Sequence, residues 1–216
     1  MQKKIYLILF IIIILFYYLF FSCLNWYDYK YKDELFIIND FLNDNNFNIL
    51  KKLLVDLVFK NDNRMNSRKT ICLDYNTNKK LYNLIYNNST IKKIADEVFK
   101  EKYSKRPLFP IEYRLYPEKS FGMGWHKDTS LFNPDCLEVV MTIENNSDMK
   151  FLWNENGIIK SIKPKPNTIV IVKPNSVIHS VSPANVGTRK ILKFIIQRAN
   201  SKPTDSFYRE INNCPK

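Results

Sequence analysis

The chain has 216 residues, 45% of them hydrophobic, and a formal net charge of +12. That is room for one ordinary domain with a closed core plus an appendage. The basic residues are scattered rather than gathered in one block, which argues against a dedicated nucleic-acid groove. Four cysteines, Cys23, Cys72, Cys136 and Cys214, show no CxxC spacing and exclude a zinc ribbon or a dithiol redox motif.

From Ile5 to Phe21 the chain reads IYLILFIIIILFYYLFF, without a charge. With Ser22 to Trp26 this run is long enough to cross roughly 30 Å of hydrocarbon as a helix. It exceeds the apolar stretch of about 7–15 residues of a cleaved signal peptide and ends in Phe-Phe-Ser-Cys rather than in small residues, which favours an uncleaved signal anchor over residues 1–26. The expected topology has the amino terminus in the cytoplasm and the domain lumenal or extracellular. In a lumen, a disulfide among Cys72, Cys136 and Cys214 becomes possible, with its pairing open. Residues 27–34, YDYKYKDE, are expected to form a polar stalk.

The folded part is expected over residues 35–198, beginning with a helical lead-in over 35–108. Leu35 to Ile38 is a short strand candidate. Asn43 or Asp44 can cap a helix in which Phe47, Leu50, Leu53, Leu54, Leu57 and Val58 recur at 3.6-residue spacing. Two more helical patterns run from Lys79 to Tyr86 and from Thr90 to Tyr103. Over 109–198 the texture changes to short β-rich runs punctuated by Gly, Pro, Asn and Asp. Eight strand candidates, at 111–116, 123–127, 137–144, 150–153, 158–162, 168–172, 177–181 and 190–197, suit a jelly roll within an α+β, mainly β chain. Residues 199–216 read as a loosely attached polar tail.

Only two histidines occur, His126 and His179. In a strand, residues two apart point to the same side, so His126 and Asp128 can share one metal while Lys127 points away. Two imidazoles and one carboxylate suit an open ferrous site, because they leave coordination positions free. A structural zinc site would want a fourth ligand. Arg189, ten positions after His179, offers a planar fork that matches a carboxylate where Lys cannot. Tyr116 is read either as a hydroxyl donor to the same carboxylate or as a sheet-core tyrosine. Trp125 is expected to pack in the sheet, and Arg114 to be a surface or structural residue.

The order HxD, His, Arg, carried by Tyr113-Arg114-Leu115-Tyr116-Pro117, SFGMGWHKD and NTIVIVKPNSVIHSVSPANVGTRKILKFII, resembles the catalytic core of the 2-oxoglutarate and Fe(II)-dependent dioxygenases. The lead-in from Leu35 resembles that of the prolyl 4-hydroxylase branch. The resemblance implies a double-stranded β-helix, a cupin-like jelly roll. It implies that His126, Asp128 and His179 are the catalytic iron ligands, and that Arg189, with Tyr116, binds 2-oxoglutarate. The implied co-substrates are 2-oxoglutarate and O2, with ascorbate as an accessory reductant. Two positions depart from the family pattern. Ile191 stands where many relatives have a small hydroxyl residue, and Lys150 to Glu155 replaces a glycine-rich turn.

A membrane anchor with an outward domain resembles the prolyl and lysyl hydroxylases of the secretory route, so a protein or peptide is the expected substrate. An AlkB-like oxidative demethylase of nucleic acid is the alternative. The anchor argues against it, as does Ile195 six residues after Arg189, where a second Arg would be expected. A third reading is a non-catalytic membrane-tethered β-sandwich that binds a ligand or partner.

Overall fold

The computed structural model describes residues 10–12, 14 and 27–215, so the anchor expected over 1–26 lies almost wholly outside the described residues. Among the described residues, no helix is long and apolar enough to cross a membrane. Residues 27–34 are not a free stalk. They contribute β1 (Tyr29–Tyr31), which forms a hairpin with β2 (Leu35–Ile38). The tyrosines explain the difference: Tyr29 packs its ring 5.2 Å from that of Trp153 and donates its hydroxyl to Glu155.

Helix α1 (Asp44–Leu54) starts where the Asn43 side chain accepts the Asn46 N–H at 2.9 Å. It stops before Val55 and Val58, which lie exposed. A hairpin of β3 (Lys60–Asn61) and β4 (Lys69–Leu73) follows. Helix α2 (Lys79–Tyr86) leads to α3 (Ser89–Phe99), capped by Asn88 and closed by Lys100 in the left-handed region. That closure ends the helix four residues short of Tyr103.

The second half supplies β5 (Ile111–Tyr116), β6 (Met123–His126), β7 (Phe132–Asn133), β8 (Leu137–Asn145), β9 (Phe151–Glu155), β10 (Ile158–Ile162), β11 (Ile169–Val172), β12 (His179–Val181) and β13 (Arg189–Ile196). All eight expected strands are present. They divide into β11-β8-β13-β5 and β10-β9-β12-β6, the two four-stranded halves of a jelly roll. The first half is widened by β1 and β2 on one edge and by β3 and β4 on the other, giving eight strands in the larger sheet.

Period-two alternation gives the larger sheet two different buried faces. Ile111 and Tyr113 of β5, Val139 and Met141 of β8, and Leu192 and Phe194 of β13 face the helices and join Leu50, Ile85, Ile91 and Phe99 in the main core. The alternate residues look toward the smaller sheet. Between the two sheets a narrow cavity remains, and polar side chains line much of it.

The tail is also structured. β14 (Lys202–Pro203) pairs with β7, and α4 (Asp205–Asn212) seats Phe207 against Phe109 and Phe132. A disulfide then joins Cys72 to Cys214 across 142 positions, while Cys136 is free and buried. Polar composition marked the outer face of α4 and not the anchorage beneath it.

Candidate metal centre

Strands β6 and β12 are antiparallel neighbours in which His126 and His179 stand directly opposite each other. Directly opposed residues project to the same face, and the two rings lie 4.4 Å apart between centroids. Asp128, just past the end of β6, turns back between them. Its carboxylate oxygens sit 3.5 Å from His126 Nε2 and 3.3 Å from His179 Nε2. The backbone of this turn is fixed by Asn175, whose N–H donates to the Asp128 carbonyl at 2.8 Å. One ligand atom from each residue lies within 4.8 Å of the others.

Each imidazole is oriented from behind. His126 Nδ1 lies 2.7 Å from the Gly124 carbonyl and His179 Nδ1 lies 3.0 Å from that of Val177. A carbonyl only accepts, so Nδ1 carries the proton and Nε2 presents its lone pair to the centre. Burial holds the His179 pKa below its ordinary value, which keeps the ring neutral. Burial opposes the charge on Asp128, but hydrogen bonding to His126 and the nearby Lys193 and His179 outweigh it and hold the carboxyl below the usual carboxylate range. The hydrogen bond to Asp128 pushes the His126 pKa up, so a divalent cation would take the place of the proton on that ring's Nε2; with His179 neutral and Asp128 ionised, the donor set fits Fe(II).

Two glycines make this geometry possible. Gly122 (φ +66) approaches β12 so closely that an added Cβ would lie 2.2 Å from the Val181 carbonyl oxygen, and Gly187 (φ +70) approaches Asn146 in the same way. Only glycine fits such positions. At Gly124 an added Cβ would meet nothing within 4 Å, and this residue serves through its carbonyl on His126.

Arg189 and Tyr116 are register partners across β13 and β5 and both face the cavity. Arg189 is only 2% exposed. Its Nη2 donates to Thr142 Oγ1 at 3.3 Å, and its Nε is buried with no partner. No carboxylate pairs with it among the described residues, and burial lowers its pKa to about 10. An unpaired buried guanidinium opposite the metal seat is a ready receptor for a ligand carboxylate. Ile191 lines the cavity, and the hydroxyl beside Arg189 comes instead from Thr142 on β8. The replacement segment 150–155 forms β9, which sets Phe151 against the His179 ring at 5.6 Å.

The Tyr116 hydroxyl reaches Met123 Sδ at 3.6 Å. Burial alone would raise its pKa, yet Arg114, Arg68 and Arg189 hold it below the ordinary tyrosine value. Tyr113, by contrast, points to the helical core, where its ring lies 4.6 Å from that of Phe59. Trp125 does not pack in the sheet. It is 48% exposed on the outer face of β6.

Sequence reasoning missed the charged wall beside the metal seat. Arg114 takes the structural of its two expected roles: it is buried and pairs with the fully buried Glu112, whose other oxygen receives Arg64 at 2.6 Å. Arg64 and Arg68 both grip buried Asp62, each at 2.8 Å. Lys193 meets Glu138 at 2.6 Å. Burial lifts Glu138 to about 7 even beside that lysine, with Asp128 adding to the rise. The available signal was the alternation Glu112, Arg114, Tyr116 on β5.

No protein-family model and no curated protein sequence matches the chain. Its fold does match solved structures. A 2OG-Fe(II) oxygenase family oxidoreductase from Burkholderia pseudomallei superposes with a TM-score of 0.65 at 13% identity, covering 80% of this chain and 88% of that one. A Pseudomonas putida prolyl-4-hydroxylase gives 0.59 at 12% identity over 77% and 94%. A Trichoplax adhaerens prolyl hydroxylase, solved with a hypoxia inducible factor peptide fragment, gives 0.56 at 15% over 77% and 84%. The fold is that of the 2OG-Fe(II) oxygenases, prolyl hydroxylases among them.

Proposed function

We propose that the protein is a membrane-anchored Fe(II)- and 2-oxoglutarate-dependent dioxygenase that hydroxylates a protein substrate, with prolyl or lysyl side chains as the target class. One observation carries the reading: an unpaired, buried Arg189 shares a cavity with a His126, Asp128 and His179 donor set whose imidazoles are turned inward. His126, Asp128 and His179 hold the iron, and Arg189 takes the distal carboxylate of 2-oxoglutarate with the Tyr116 hydroxyl nearby. Bound iron, 2-oxoglutarate and O2 supply an oxidation in which a substrate C–H becomes C–OH while 2-oxoglutarate is split to succinate and carbon dioxide.

The chain's own work is placement and exclusion. Gly124 and Val177 lock the imidazoles by their Nδ1 protons. Val170, Val172 and Phe151 give the cavity apolar walls that limit water. The target class is supported by the likeness to prolyl hydroxylases, one of them solved with a peptide. The outward placement behind an anchor over 1–26 is supported by the Cys72–Cys214 disulfide, which suits an oxidising compartment.

The test uses the full chain in detergent micelles with Fe(II), ascorbate, 2-oxoglutarate and peptides containing Pro or Lys. Succinate and a peptide gaining one oxygen are expected. Succinate no higher than from the His126→Ala variant would sink the enzyme reading.

A further inference from the structure

In front of the metal seat lies a second cavity of about 250 Å³, and His126, Asp128, Met123, Arg114, Glu138 and Lys193 are common to both. It borders the same donor set, and its charges do not cancel. Four cations in its wall, Arg64, Arg68, Arg114 and Lys193, are matched by four carboxylates, Asp62, Glu112, Glu138 and Glu210. Asp128 belongs to the metal. Two further cations line the same cavity, are exposed, and form no ion pair among the described residues: Arg209 on α4, whose Nη2 donates to Ser206 Oγ at 3.2 Å, and Lys127, which was expected to point away but follows the end of β6, where the strand alternation no longer holds.

The surplus is therefore positive and stands at the mouth, before the charge of the metal is added. The matched arginines also keep donors in hand. A guanidinium has five N–H groups; Arg114 commits Nε and Nη2 to Glu112, and Arg68 commits Nε to Asp62 and one Nη1 donor to Met65 Sδ. Met65, Met123 and Leu131 add an apolar patch suited to an aliphatic stem. Among the described residues no Phe, Tyr or Trp lines the cavity, so these residues give it no stacking surface of the kind by which proteins grip an unpaired base.

We propose that this cavity is a carboxylate-binding subsite, with Lys127 and Arg209 as specificity-determining residues, which selects an acidic peptide segment beside the residue to be oxidised. The inference rests on the dioxygenase reading for its substrate and is separable from it by experiment. It assigns to the C-terminal helix a role in substrate choice: the disulfide and Phe207 anchor α4 so that Arg209 and Glu210 close one side of the mouth.

The test measures fluorescence anisotropy of three labelled peptides of one length around a central Pro, flanked by Glu, Gln or Lys, with the full chain in detergent micelles. A single-stranded oligonucleotide matched in charge to the Glu peptide is the fourth probe. The Glu peptide is expected to bind at least tenfold tighter than the Gln peptide, with the difference shrinking as salt is raised. Lys127→Glu with Arg209→Glu removes most of that preference. Lys79→Glu with Lys80→Glu, an equal charge change on exposed residues of the remote α2, leaves it within about twofold.

Equal losses from the two double variants reduce the preference to general attraction to a +12 chain and overturn the subsite. So does an absence of acidic preference, or tighter binding of the oligonucleotide. Acidic-peptide binding as expected without succinate would leave the subsite standing and remove the enzyme reading. Succinate formed equally with Glu and Gln peptides would do the reverse.

Discussion

Replacing Arg189 with Met should stabilise the empty protein and weaken its hold on 2-oxoglutarate, because the guanidinium is buried for a ligand and not for the fold. Burial lowers the Arg189 pKa to about 10, a penalty on the charged form of about 3 kcal/mol. The sign follows from the depressed folded-state value of a base. The penalty is fully present below about pH 10, hence at neutral pH, and is relieved only as pH rises beyond about 10 towards the ordinary arginine value. Met loses the bond to Thr142, worth about 1 kcal/mol, so a net gain of about 2 kcal/mol remains. For a chain of this length that raises Tm by about 4–8 °C. Against this, removing one partner of a buried, hydrogen-bonded charge pair costs about 2–5 kcal/mol of binding, or roughly 30-fold to several thousand-fold in Kd. Thermal unfolding of the metal-loaded full chain across a 2-oxoglutarate titration reads both quantities at once. A variant that melts lower while keeping wild-type affinity for 2-oxoglutarate would refute the assignment of Arg189 as a receptor.

Two further outcomes follow from the charged wall and the C-terminal anchorage. Burial opposes ionisation of Glu112, but Arg114 and Arg64 hold it ionised down to about 2; it therefore contributes stability above its unfolded pKa of 4.5 that is lost as pH falls from 4.5 towards 2. Melting curves between pH 2 and about 6 should show this slope flattened in Glu112→Gln, and an unchanged slope would count against the network. Opening the Cys72–Cys214 bridge with the double Ser variant should cost about 2–5 kcal/mol in denaturant unfolding. An unaltered midpoint would mean that Phe207, Ile211 and the Arg64–Glu210 pair hold α4 without the bridge.

The parts of this molecule that were legible in its sequence are those where local pattern and three-dimensional role coincide. The first helix announced itself through Asn43 or Asp44 as a cap and 3.6-residue spacing, and the other two through their helical pattern, while the Asn88 cap emerged only in the structure. His126 and His179 were legible because the chain's two histidines fell on predicted strands, and Asp128 and Arg189 because they stand at telling intervals from them; the sheet register then brings all four to one cavity. Residues 27–34 and 199–216 were misread for a common reason. Their anchorage is long-range: Tyr29 on Trp153, Phe207 on Phe132, and Cys214 on Cys72. No local periodicity reports a partner more than 70 residues away.

The charged wall was hidden by a different ambiguity. In an antiparallel sheet with one wet face, alternation of apolar and polar residues means that the polar set faces water, and that rule sends Glu112 and Arg114 outward. Here helices cover one face of the larger sheet and the second sheet covers the other, so both sets of β5 are buried. A polar face enclosed in this way is stable only if its charges meet, and Glu112 with Arg114 and Arg64, and Glu138 with Lys193, satisfy that demand. Among the described residues, the single member left without a carboxylate partner is Arg189, whose Nη2 meets only the Thr142 hydroxyl and whose Nε meets nothing. In a wall where every other buried charge is matched from within the chain, the exception marks where a ligand's charge is required.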